Sequence, residues 1–216
     1  MRPTQRRCGK AGGGGARKGF SLVEILVVGA IVSVLATLSV TALPSLLAGG
    51  RVSSGSTTLA ALFEQARARA VARGIYVYVG VLQVDPQTVL VGMAGTMTGE
   101  DDIASASLLA PPVTLSNLEL KDSSEVKAKV ALPRAASAAD SVLESDIGVL
   151  TIPYRGRPVS CARVVRFSPT GQAAVRQDNA SRQIQVGLAP SRHPNGTDLS
   201  LIQIPGLAGS IVVYQP

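Results

Sequence analysis

The sequence predicts an α+β chain, with a long N-terminal transmembrane and stalk α-helix packed on a C-terminal β-rich head of two sheets. Three observations predict it. From Ile25 to Gly50 no residue is charged, which reads as a single apolar helix. Further on, Leu59, Leu62, Phe63, Ala66 and Ala70 recur at spacings that share one helix face. Past Gly74 the pattern changes to short β-branched and aromatic runs punctuated by Gly, Pro, Asn and Asp.

At 216 residues the chain has room for one or two domains of about 100–200 residues each. Trp is absent and aromatic residues make up 3%, which leaves few side chains to stack on bases or sugars. The formal charge of +7 would ordinarily suggest nucleic acid or an anionic membrane. Six of the 21 bases, however, are Arg2, Arg6, Arg7, Lys10, Arg17 and Lys18, in a stretch without acids. Residues 20–216 keep 15 bases against 14 acids, a charge of +1. Nucleic acid is therefore not the expected partner. The two cysteines, Cys8 and Cys161, form no CxxC pair and no disulfide framework. Cys161 reads as a single buried thiol.

Four segments follow in order: 1–19, 20–48, 49–74 and 75–216. The first is basic and glycine-rich (CGKAGGGGARKG). It lacks the apolar core of a secretory signal and the GxxxxGK[ST] spacing of a phosphate loop, and reads as a flexible leader. The second holds Ile25–Ala48, 24 residues, roughly 36 Å as a helix against a hydrocarbon core of about 30 Å. The flanking cations place its N-terminus in the cytoplasm and residues beyond 50 outside it. Glu24 is the anomaly in this segment. A carboxylate inside a bilayer costs roughly 2.5–3.5 kcal/mol on insertion scales, so it needs either a counter-charge or a route to the interface by snorkelling. Pro44 is expected to bend or loosen the helix, and Gly49-Gly50 to loosen its exit. In the third segment Arg67, Arg69 and Arg73 largely occupy other faces than the apolar stripe, and Gly74 is placed as a C-cap.

In the fourth segment, strands are expected at 75–84 and 89–91 around an Asp85-Pro86 turn. Others are expected at 113–120, 147–154, 159–168, 172–176, 182–188, 199–204 and 210–215, with turns at Pro169-Thr-Gly171 and Asn195-Gly196. Segments 95–112 and 121–146 read as long surface loops. No catalytic residue is expected: His193, the only histidine, lies in a loop near Asp198, and such neighbours make no triad without geometry. Glu100-Asp101-Asp102 lacks the alternating ligands of a calcium loop and reads as a solvated acidic tip. No metal or cofactor is expected. Among Arg155, Arg157, Arg163 and Arg166, the last two would face opposite sides of a strand. Only Arg155 and Arg157, in a positive turn, remain as candidate nucleic-acid contacts.

The stretch KGFSLVEILVVGAIVSVLA resembles the prepilin cleavage and methylation motif of type IV pilins and type II secretion pseudopilins. That resemblance implies a prepilin peptidase that cuts after Gly19 and methylates the new N-terminus at Phe20. It also implies that Glu24 pairs with the α-amino group of a neighbouring subunit's Phe20 during filament assembly. LAALFEQARARAVARGIYVYV, VVRFSPTGQAAV and LIQIPGLAGSIVVYQP are similar to segments of the GspH/FimT family of minor pseudopilins and minor pilins. Many relatives carry a proline at the position of Thr41, whereas this chain has Pro44, so the bend is displaced. The resemblance makes 1–19 a prepilin leader, 20–48 a transmembrane and filament-assembly helix, 49–74 a stalk, and 75–216 a periplasmic head. The protein implied is pilin-like and not an enzyme, a minor subunit of a type II secretion pseudopilus or a type IV pilus. It would sit in the bacterial inner membrane as a single-pass protein, with the peptidase and other pilins or pseudopilins as partners. Some family members bind DNA through a basic Gly-Arg motif near the C-terminus. The counterpart here, Ala-Gly-Ser-Ile-Val-Val, has no arginine. A DNA-contacting minor pilin of an uptake pilus remains the alternative, and a membrane protein with an unrelated β-rich head is a third.

Overall fold

The computed structural model describes residues 21–130, 139–177, 181–192, 198–207 and 210–215, with the backbone alone over 38–49. The chain divides into two units, 1–43 and 44–216. Helix α1, Leu22–Arg73, runs as one helix through Pro44, Gly49 and Gly50, where a bend and a loosened exit were expected. Glu24 in its first turn and Arg73 in its last complement the helix dipole. At its end Gly74 adopts φ +64° and the Ile75 N–H donates to the Ala70 carbonyl at 3.2 Å. This is the six-to-one bond of a Schellman cap, as the position of Gly74 predicts. Within 44–216, the residues of α1 buried in the core are Val52, Gly55, Ser56, Leu59, Phe63, Ala66 and Ala70, one stripe at helical spacing.

The expected fold class does not hold. Thirteen strands form three sheets among the described residues, and among those residues no helix is long and apolar enough to cross a membrane. The expectation set the long helix against two sheets, whereas the described strands form three. The side chains of 38–49, which make up the second half of the apolar run, lie outside the described residues.

The first sheet contains β1 (Val77–Asp85), β2 (Thr88–Gly95), β3 (Ser107–Leu108), β4 (Val113–Ser116), β9 (Val164–Phe167) and β10 (Ala173–Ala174). Its order is β10-β9-β1-β2-β3, with β4 also on β2. The second contains β5 (Leu118–Lys121), β6 (Asp140–Ser141), β11 (Gln183–Pro190), β12 (Ser200–Pro205) and β13 (Val212–Tyr214), in the order β13-β12-β11-β5, with β6 parallel to β11. The third is a hairpin of β7 (Leu150–Tyr154) and β8 (Arg157–Cys161). A short helix α2, Ser123–Lys127, is capped by Asp122, whose side chain accepts from the Ser124 N–H. Among the described residues, the loops expected at 95–112 and 121–146 therefore carry β3, α2, β6 and two 3₁₀ turns.

Period-two alternation sorts the side chains of β1 into two cores. Val77, Val79 and Val81 pack with α1, Phe167 and the apolar face of β11 and β12 (Ile184, Val186, Ile202 and Ile204). Tyr78 faces the other way and packs with Leu90, Leu150, Ile152, Cys161 and Val164, beneath the hairpin. Gly80 and Gly92 are cross-strand partners, and the space they leave takes Ile152: a Cβ at Gly92 would lie 2.7 Å from Ile152 Cδ1. Two glycines thus seat the third sheet on the first. A third cluster, around Val126, Val130, Leu199 and Leu201, joins α2 to the second sheet.

Candidate functional site

Gly19 and Phe20 lie outside the described residues. Glu24 is described and exposed. No hydrogen bond or ion pair engages it among the described residues, so its counter-charge is not supplied there. Its neighbours are unusual for a water-facing helix. Leu22, Val23, Ile25, Leu26, Val27, Val28, Ile31, Val32, Val34 and Leu35 are all between 50% and 78% exposed. The apolar residues go round the helix instead of forming one stripe. A helix of that kind is normally buried on all sides, and an exposed apolar surface this continuous marks a site of association.

The candidate nucleic-acid residues sit at the tip of the hairpin. Arg155 and Gly156 have φ +50° and +77°, the two left-handed residues of a type I′ turn, and Tyr154 pairs with Arg157 across it. The Arg155 guanidinium lies over the Tyr154 ring at 5.1 Å. Both arginines are exposed. They do not join a larger basic patch with the other two. Arg166 is tied to Asp101 in an ion pair, and Arg163 lies between β8 and β9 with its carbonyl accepting from the Val81 N–H at 2.9 Å. Two exposed cations offer little phosphate contact.

The acidic tip expected at Glu100-Asp101-Asp102 is instead partly structural. Asp101 accepts a 2.8 Å hydrogen bond from the Tyr78 hydroxyl and pairs with Arg166. Asp102 caps the turn Ile103–Ser105, accepting from the Ala104 N–H at 2.9 Å. The Tyr78–Asp101–Arg166 group joins residues far apart in the chain, so sequence spacing alone did not reveal it. Gln83 is a second residue missed. Its amide donates to the Leu118 carbonyl at 3.2 Å and accepts from the Leu120 N–H at 2.8 Å, fastening β1 to β5. A polar residue inside an apolar strand was the available signal. His193 lies outside the described residues, and among those described no group of acids, His and Cys could hold a metal ion.

Burial raises the Tyr78 hydroxyl well above its ordinary range, and the bond to Asp101 adds to the shift. Burial likewise raises the Cys161 thiol from 9.0 to about 11, partly offset by the Arg163 backbone. Both groups hold their protons more tightly when folded than when unfolded. Their contribution to stability is therefore complete below the unfolded values and is lost as pH climbs through the folded ones. Urea midpoints should be flat up to about pH 9 and decline toward pH 11, with a smaller decline in Cys161→Ala. A midpoint that rises with pH above 9 would contradict this burial.

The chain matches no family model, no curated protein and no solved structure.

Proposed function

We propose that the chain is a minor pseudopilin or minor pilin, a structural and non-catalytic subunit that docks into a filament through the first half of α1. The observation that carries this reading is the ring of ten exposed large apolar side chains between Leu22 and Leu35, interrupted by the single carboxylate of Glu24. An all-round apolar helix needs neighbours on all sides, which a filament of like subunits supplies. A lone acid among them selects a register, because it is tolerated only where a cation meets it. The KGF junction and the basic stretch before it supply the processing step. Cleavage by a prepilin peptidase after Gly19 frees the α-amino group of Phe20 as that cation. Assembly at the bacterial inner membrane, with residues 75–216 in the periplasm, belongs to the same reading. The machine served is a type II secretion system or a type IV pilus.

Co-expression with a prepilin peptidase should yield a chain whose intact mass begins at N-methylated Phe20. Recovery of only the 216-residue chain under those conditions would count against the assignment. The second reading, a DNA-contacting minor pilin, draws support from one observation: Arg155 and Arg157 are exposed at a hairpin tip. Micromolar binding of duplex DNA with a steep salt dependence, abolished by mutating both arginines, would favour it.

A further inference from the structure

β4 is paired along one edge only. Val113, Thr114, Leu115 and Ser116 face Val91, Leu90, Val89 and Thr88 of β2, and no other strand of the described residues joins β4. The strand carries neither the charge nor the proline with which natural edges are commonly guarded. A cleft opens beside it on each face of the sheet. Toward the hairpin, a cavity of about 390 Å³ is lined by Thr88, Leu90, Thr114, Ser116, Tyr154 and Arg155, among others. Toward α1, a second of about 370 Å³ is lined by Arg51, Ser54, Thr58, Val113 and Leu115, among others. A strand added along β4 would send successive side chains to opposite faces, and so into the two clefts in turn. The edge backbone would supply hydrogen bonds, while the clefts select the side chains.

We propose that the free edge of β4 is a docking site for an extended acidic segment of a partner protein, bound by strand addition. Charge complementarity selects this occupant. Each cleft carries one exposed arginine, Arg51 or Arg155, and neither lining includes an acid. Arg155 is set in place by its turn geometry and its stacking on Tyr154. The acid nearest in sequence to Thr88, Asp85, is occupied by the Gln87 N–H at 2.9 Å. The remaining linings are rich in hydroxyls, which suits a polar, extended chain. A second copy of this chain does not fit the charge pattern. The acids on its described strands are already engaged: Asp85 by Gln87, Glu119 by Lys121 and Asp140 by Arg176. This site goes beyond the assembly helix and does not depend on it.

The test uses the full chain and a short capped peptide of valines and threonines with two adjacent central aspartates, one for each face. Saturable binding is expected, with amide-exchange protection confined to β4 and its flanks. N-methylation of the peptide at alternate residues should weaken binding about tenfold or more, because each methyl group facing the edge removes a hydrogen bond. The double variant Arg51→Glu, Arg155→Glu should instead prefer the same peptide with lysines in place of the aspartates. Absence of binding, indifference to N-methylation, or protection elsewhere would overturn the proposal. So would self-association that protects β4 and resists the peptide, or duplex DNA displacing the peptide through Arg155 alone.

Discussion

Gly206→Ala is expected to remove much of the stability of the chain. Gly206 follows β12, and its N–H donates to the Arg182 carbonyl at 3.0 Å. Its own carbonyl accepts from the Ala173 N–H at 2.7 Å, so one residue links the second sheet to β10 of the first. A Cβ there would overlap the Ser181 carbonyl oxygen and come within 2.5 Å of its carbon. Those atoms are backbone and cannot rotate aside. The strain can be relieved only by parting the segments, which forfeits one or both hydrogen bonds. Overpacking of roughly 1–3 kcal/mol and about 1 kcal/mol per lost bond add up to roughly 2–5 kcal/mol. That is a large share of the 5–15 kcal/mol typical of a folded domain. The comparison is Gly50→Ala in α1, where a Cβ meets nothing within 4 Å. Alanine should stabilise that helix by about 0.5–1 kcal/mol. The two variants should shift the urea midpoint in opposite directions, and an undiminished midpoint for Gly206→Ala would contradict the close approach of Gly206 to Ser181.

Most strands of the head were legible because β-branched residues and turn residues alternate along it. What the pattern could not show was where a strand changes sheet. The run 113–120 reads as one strand, yet Asn117 takes φ +60° and splits it into β4 and β5, which belong to different sheets. Asparagine tolerates that left-handed conformation better than most residues, so the break had a local signal that hydrophobic periodicity hides. The run 159–168 divides in the same way between β8 and β9. The third sheet had a clearer signature. Pro153 and Pro158 sit opposite one another in the β7–β8 pair. A residue without an N–H cannot serve a central strand, which favours a separate hairpin over an extension of either larger sheet.

Sites divide along the same lines. Gly74 was legible because a helix cap is local, and the apolar stripe of α1 because it recurs at helical spacing. The partners of Asp101 were not, since Tyr78 and Arg166 become neighbours only when β1 pairs with β9 in the register Tyr78↔Arg166. An acidic triplet looks the same in sequence whether water or an arginine meets it.

If the chain is the filament subunit proposed above, Glu24→Ala is expected to leave cleavage at Gly19 intact while disrupting association with other filament subunits. Alone, the carboxylate is exposed in the first turn of α1. There it is solvated and adds about 0.3–1 kcal/mol through the helix dipole, so circular dichroism should change little. Association that buries Val23, Ile25 and Val27 around it also strips its water. Two outcomes are then distinguishable. If no cation meets Glu24 in the filament, burying it carries only a penalty, and alanine should assemble as well as the parent or better. If the α-amino group of a neighbour's Phe20 meets it, alanine leaves that amine buried and unpaired. Breaking such a pair from one side costs about 3–5 kcal/mol, which is a loss of roughly a hundredfold to several thousandfold in association. Glu24→Gln should fail like alanine, since it keeps the size and loses the charge. Glu24→Asp should fall between, because its charge persists with a shorter reach. Crosslinking and co-purification of processed subunits read the result, with cleavage followed in parallel. Parental assembly by Glu24→Ala would remove the pairing role from Glu24 and leave the apolar side chains alone to explain the docking of α1.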